Sequence, residues 1–332
     1  MKQFSEILEM TKPDMLLADR LPVGSMGVLY GAPKVGKTFV TLDWAIRLAR
    51  DGNSVLYCAG EGISGYGARC RAWVRQFGLD EGEEKYLPFY LGERMINFTS
   101  HGNAPAFMAE IRKRFEEEHP VGDVVTDYDP DGNVIGEHFE EFGTQTMPGH
   151  IDLVIVDTLS RSLPGVDEND QGEMSKAIDQ IDSFRRATGS TVLFLHHTTK
   201  ADKKKWRGSS VIEGAADVMI LAYDEADEIH VKVEAAREFD SEDKEWVYKL
   251  TPNGDSAVAV EGAKPMSGKD RVLKAVLDGK DSVADISNET SVAVPQVRVY
   301  LGRLVASGSI YNTARGKYAP TTKALDAAGG ES

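Results

Sequence analysis

Two textures alternate along most of this chain. Short, nearly unbroken apolar runs recur: GVLYG at 27–31, SVLYCAG at 54–60, PFYLG at 88–92, IDLVIVD at 151–157, STVLFLHH at 190–197 and ADVMILAY at 216–223. Apolar runs of that length are what strands buried on both faces require. Between them lie longer stretches with apolar residues at helical spacing. The alternation predicts an α/β fold, a mostly parallel sheet with crossover helices, from Met26 to about Ala222.

The pattern changes at both ends and at one point inside. Residues 1–20 read as a short amphipathic helix, with Phe4, Ile7 and Leu8 on one face, followed by a link through Pro13. Segments 228–239 and 243–252 read as antiparallel strands at the sheet edge. Segment 121–150 is acidic around a Pro-Asp-Gly turn and reads as an inserted hairpin on the periphery. Beyond it, 269–279, 283–290 and 294–308 have helical patterning and 309–320 reads as a hairpin, the order of a winged helix. The expected organisation is an N-terminal segment 1–20, a core at 21–262 and a small domain at 265–332.

Chemistry enters at GAPKVGKT, residues 31–38. It fits G-x-x-x-x-G-K-[ST] in full and lies between a strand and a helix, the context this motif requires. Gly31, Ala32, Pro33, Lys34, Val35, Gly36, Lys37, Thr38 and Phe39 are therefore the expected nucleotide site. The two glycines let backbone N–H groups face phosphate oxygens, Lys37 adds a point charge, and the Thr38 hydroxyl is a magnesium ligand. ATP and Mg2+ are the expected ligands.

A second magnesium contact is expected at the carboxyl end of a neighbouring apolar strand. Asp157 ends IDLVIVD there, whereas Asp152 precedes the run and sits at the wrong end. Glu61, just after the second strand, is placed to take a proton from an attacking water; the competing reading is a solvated loop glutamate. His196 and His197 end another strand. Strand alternation sends them to opposite faces, so they make poor joint metal ligands. His197 reads either as a contact to the γ-phosphate or its water, or as a hydrogen-bonded structural histidine.

Composition narrows the partners. The 332 residues are 41% hydrophobic with a net charge of −15, which argues against a surface that coats nucleic acid throughout but allows a local basic site. From Pro265 onward there are nine Lys/Arg and seven Asp/Glu, a balance of +2, so the remainder carries −17. Within that acidic remainder, TTKADKKKWRGSS at 198–210 concentrates Lys200, Lys203, Lys204, Lys205 and Arg207 around Trp206. It reads as a single-strand site with an aromatic for stacking, or as a solvated turn. In the C-terminal segment, Arg298 and Arg303 lie on the recognition-helix candidate, for which duplex DNA and a protein partner are equal readings. Only two cysteines occur, Cys58 and Cys70, and there is no signal-peptide or membrane-span pattern. A cytoplasmic protein is expected.

Taken together, GAPKVGKT, YCAGEG, DLVIVDTLSR, the stretch from DENDQGEM to HHTTK, and RGSSVIEGAADVMILAYDE resemble the RecA-like ring ATPases. The likeness covers residues 21 to about 250 and is to the hexameric replicative helicases of the DnaB and plasmid RepA type. It implies Lys37 and Thr38 on phosphate and magnesium, Asp157 as the second acidic contact, Glu61 as catalytic base and His197 as sensor. It further implies a hexameric ring with nucleotide between subunits, loop 198–210 facing a central channel, and an arginine supplied in trans. Arg237 matches that finger position best and Arg207 second, although Ala235 stands where the helicase pattern often has lysine. The expected activity is ATP-driven translocation on single-stranded DNA, of plasmid or phage replicative type. Two alternatives stand beside it: a non-translocating DNA-binding ATPase, and an ATP-stabilised scaffold that recruits a partner through the winged helix.

Overall fold

The computed structural model describes residues 12–79, 83–92, 94–99, 102–115, 118–128, 134–146, 150–199, 202, 205–262, 266 and 268–329. It divides into two compact units, Met1–Gly262 and Ala263–Ser332.

Strands β1 (Met15–Leu17) and β2 (Leu21–Pro22) form a small antiparallel pair. The link expected up to residue 20 is therefore partly a β-turn, closed by Arg20 N–H donating to Leu17 O at 2.9 Å. The helix expected around Phe4, Ile7 and Leu8 lies outside the described residues. Next come β3 (Met26–Gly31), α1 (Lys37–Arg50), β4 (Val55–Ala59), α2 (Tyr66–Phe77), α3 (Glu83–Tyr86), β5 (Phe89–Gly92) and α4 (Ala104–Phe115). The expected insert is a two-stranded ribbon, β6 (Glu118–Tyr128) with β7 (Val134–Thr146); its Pro-Asp-Gly turn lies outside the described residues.

The chain then returns to the sheet with β8 (Leu153–Asp157), α5 (Leu159–Ser162), α6 (Gln171–Thr188), β9 (Thr191–His197), α7 (Ser210–Ala215) and β10 (Val218–Glu225). An antiparallel extension follows: β11 (Glu228–Ala236), β12 (Glu245–Asn253) and β13 (Ser256–Glu261). β13 is a strand the sequence reading did not include. Its cue is the tight turn at Gly254–Asp255, followed by the apolar run Ala257–Val260.

Among the described residues nine of these strands form one sheet, in the order β13-β12-β11-β10-β3-β9-β8-β4-β5, and the six from β10 to β5 are parallel. The phosphate-loop strand β3 thus lies between β10 and β9, one strand away from β8. Strand alternation splits the apolar core into two layers. Leu29, Val55, Tyr57, Leu153, Ile155, Leu193 and Leu195 face α1, while Val28, Leu56, Val154, Val156 and Phe194 face α6. This parity decides which polar strand ends can meet the nucleotide loop.

The second unit contains α8 (Gly268–Leu277), α9 (Val283–Thr290), α10 (Val294–Ala306), the hairpin β14 (Ile310–Ala314)–β15 (Lys317–Pro320) and α11 (Thr322–Gly329). Val272, Val276, Ile286, Val297, Leu301 and Leu304 form its own core. The closing helix α11 was not anticipated from the sequence.

Candidate nucleotide and strand-binding site

Parallel strands deliver side chains of the same parity to the first turn of α1. Asp157 continues the Leu153–Ile155 face of β8, His197 continues the Leu193–Leu195 face of β9, and Tyr57 belongs to the matching face of β4. Opposite them the phosphate loop leaves β3 at Gly31 and enters α1 at Gly36, whose φ of 100° is in the left-handed region. A Cβ at Gly31 would collide with the backbone oxygen Ala222 O, so that position needs glycine for space, whereas Gly36 is favoured by its positive φ. No side chain caps α1 and its first turn carries no acid, so neither a cap nor a carboxylate competes with an anion at that helix end.

Lys37 is 6% exposed, and its Nζ donates to Gly31 O at 2.8 Å and Ala32 O at 3.0 Å. Burial lowers its pKa to about 8, against an opposing pull from Asp157. Asp157 is a hub. Its Oδ2 accepts from Thr38 Oγ1 at 2.8 Å, Tyr57 OH at 3.1 Å and Tyr66 OH at 3.3 Å. Tyr57 OH also lies 2.9 Å from Thr41 Oγ1. Burial first, and then the Asp157 charge, raise both phenol pKa values, so both tyrosines remain hydrogen-bond donors. The Thr38–Asp157 pair offers hard oxygen donors, which fits Mg2+, a cation that takes one or two protein ligands and retains water. Among the described residues no three His, Cys, Asp or Glu side chains converge. Phe39, next along α1, has its ring 5.3 Å from the Arg69 guanidinium.

The two histidines part as alternation requires. His197 is partly buried on the α1 face; burial and then the Lys37 charge lower its pKa, opposed by Asp157 and Glu61. Its Nδ1 is buried without a hydrogen-bond partner among the described residues. His196 is fully buried on the other face, and its Nε2 donates to Arg207 O at 2.7 Å. Burial lowers its pKa as well, which keeps the ring neutral. His196 is thus a structural histidine at the base of the basic loop.

The described part of that loop is stitched shut. Thr198 bridges Trp206, Thr199 N–H donates to Lys205 O at 2.9 Å, and Arg207 N–H donates to His197 O at 3.1 Å. Lys200, Lys203 and Lys204 lie outside the described residues, and Lys205 is exposed. Trp206 is half-buried against the α6-side core, with its ring 6.1 Å from His196. Arg207 Nε lies 3.7 Å from the nearly buried Glu168 of the same chain. A cleft of about 630 Å³ runs between Ala32–Val35, the loop base at Thr198 and Arg207, and the β10–β11 turn at Asp227 and Glu228.

Glu61 is exposed beyond β4 and pairs with Arg161, Nε to Oε1, at 2.9 Å. Arg237 is elsewhere. Its N–H donates to Asp217 O at 3.0 Å, and its guanidinium donates to Gly214 O. Asp217 borders Met26, at the start of β3. Five residues of strand, about 16 Å, separate that level from Gly31, more than an arginine side chain spans. Arg237 therefore does not reach its own phosphate loop. In the second unit, Arg298 and Arg303 are both exposed on α10.

The sequence reading missed Tyr57, Tyr66 and Arg161. A parity count could have found Tyr57, since it shares the face of Asp157. Tyr66 and Arg161 reach the site from helices whose placement no local pattern encodes.

A family model described as AAA domain matches residues 5–128 and 143–203, leaving the β6–β7 turn and most of β7 between the matched segments. No curated protein matches the chain. Among solved structures it is similar to one titled as an ATPase domain, at 13% identity and a TM-score of 0.48, over 78% of this chain and 90% of that one. It is also similar to a structure titled as a DnaB-like replicative helicase and its interactions with primase, at 13% identity and a TM-score of 0.48. That likeness covers 71% of this chain and 57% of the other.

Proposed function

The chain belongs to the AAA domain family, and from that premise we propose that it is an ATP-hydrolysing, ring-forming DNA helicase of plasmid or phage replicative type. One observation carries the reading. β9 ends in His197 on the phosphate-loop face, and the next residues enter the lysine-rich loop, whose closing residue Arg207 bonds back to both His196 and His197. Nucleotide sensor and strand-contact loop thus share a two-residue hinge.

Backbone N–H groups of the phosphate loop would receive the ATP phosphates, and the Lys37 ammonium would turn from the loop carbonyls onto them. Thr38 and Asp157 would hold Mg2+, which would supply charge neutralisation at the phosphates. Tyr57 and Tyr66 fix the Asp157 carboxylate, and Glu61 accepts the proton of the attacking water. His197 responds to the γ-phosphate and moves the loop that carries Lys200, Lys203, Lys204, Lys205 and Arg207 along a single strand. Trp206 anchors that loop to the core.

Arg237 serves a neighbouring subunit, in a ring we take to be hexameric. Its distance from its own phosphate loop supports a role in trans; Arg207, held beside Glu168, is the weaker candidate. The second unit acts as a winged helix, presenting Arg298 and Arg303 to duplex DNA or to a protein.

Strand displacement on a forked duplex tests the reading. ATP-dependent unwinding that disappears in Glu61→Gln is the expected result. DNA binding without unwinding by the active ATPase would replace the helicase with a non-translocating switch.

A further inference from the structure

Glu61 lies in a glycine-rich loop, so the backbone alone does not fix its carboxylate. Arg161 can do so. It sits on α5, the short helix directly after Asp157 and Thr158, and its N–H donates to Thr158 O at 3.1 Å. Leu159 and Ser162 on the same helix are buried, and Ser162 O accepts from Phe98 N–H at 2.9 Å, so the helix is anchored. The Arg161 stem crosses directly over Gly60: a Cβ there would come within 2.8 Å of Arg161 Cβ and 2.9 Å of its Cγ. Gly60 N–H in turn donates to Asp157 O at 2.5 Å. From that position Arg161 Nε reaches Glu61 Oε1 at 2.9 Å.

We propose that Arg161 is the positioning residue for Glu61: it holds one carboxylate oxygen and leaves Oε2 as the acceptor for the attacking water. The inference rests on the reading of Glu61 as the base. A carboxylate has lone pairs on both oxygens, so an arginine on one orients the group without occupying the other. The two side chains are 59% and 65% exposed, so the pair contributes little to stability and its effect belongs in the rate. The arrangement also accounts for glycine at position 60, since a larger residue would displace the arginine stem.

The test is steady-state ATP turnover by the full chain, with ATP affinity measured separately. Arg161→Ala should lower kcat by about tenfold or more while KM and ATP affinity stay within about twofold, as expected when a reacting group loses its orientation. Arg161→Lys, which keeps a donor but not the planar fork, should recover part of the rate. In a Glu61→Gln background, Arg161→Ala should have no further effect, because it acts only through Glu61. Unchanged or raised kcat in Arg161→Ala, or an equal loss in the Glu61→Gln background, would overturn the positioning role and leave Glu61 as base. Full turnover in Glu61→Gln alone would instead remove the base assignment, and the positioning role with it.

Discussion

At the scale of single residues, the site is organised around one carboxylate oxygen. Asp157 Oδ2 gathers three hydroxyl donors from α1, β4 and α2, and so ties those three elements together at one atom. Lys37 gives the clearest measurable consequence. Its free-state pKa is lowered to about 8 by burial, and bound phosphate oxygens raise it again because they favour the charged form. Binding therefore takes up a proton above about pH 8, and affinity for ATP falls as pH rises through that value. Between pH 7 and pH 9 the loss should be about tenfold, read by equilibrium titration with a non-hydrolysable ATP analogue. A pH-independent affinity would show that Lys37 keeps its charge in the free protein. Lys37, Thr38 and Asp157 were legible in the sequence because motif spacing and strand periodicity place them without knowledge of distant partners. Tyr66 and Arg161 were not, because their roles depend on how helices from other segments close over the strand ends.

At the scale of elements, the six parallel strands were legible because burial on both faces writes a continuous apolar run. β1 and β2 were not: a pair of three and two residues is too short to show a period. The β13 strand and α11 follow elements that looked terminal, and both are short. The turn into α1 is an element under conformational constraint. Gly36 combines φ of 100° with Ile229 against the space a methyl would take. Gly36→Ala should therefore destabilise the protein by about 1–3 kcal/mol and weaken nucleotide binding, measured by denaturant titration with and without ATP. A variant with unchanged midpoint and affinity would mean that the loop reshapes at no cost. The basic loop shows where element-level reading stops. Its charge was evident from composition, but the half-burial of Trp206 was not, because nothing local says that one side of the indole packs towards the α6-side core.

For the whole molecule, charge distribution and the position of Arg237 carry the account. A chain of net charge −15 repels nucleic acid except where cations concentrate, so DNA affinity should depend on the loop at 198–210. Each phosphate it neutralises on a single strand should add about 0.7 to the slope of log affinity against log salt. Arg237 lies too far from its own phosphate loop to act there, and the role proposed for it is on a neighbouring subunit. Arg237→Ala should hydrolyse ATP poorly alone. Mixed with Lys37→Ala, which keeps the arginine but lacks a working site, it should regain activity in proportion to mixed interfaces. Absence of complementation in mixing titrations would assign Arg237 to holding Gly214 within its own subunit.

The most direct test of the central claim is steady-state ATP hydrolysis with and without single-stranded DNA, at low and at physiological salt. Coupling through the His196–His197 hinge predicts strong stimulation that weakens as salt rises. A turnover rate indifferent to DNA at both salt concentrations would contradict it and separate the ATPase from the strand.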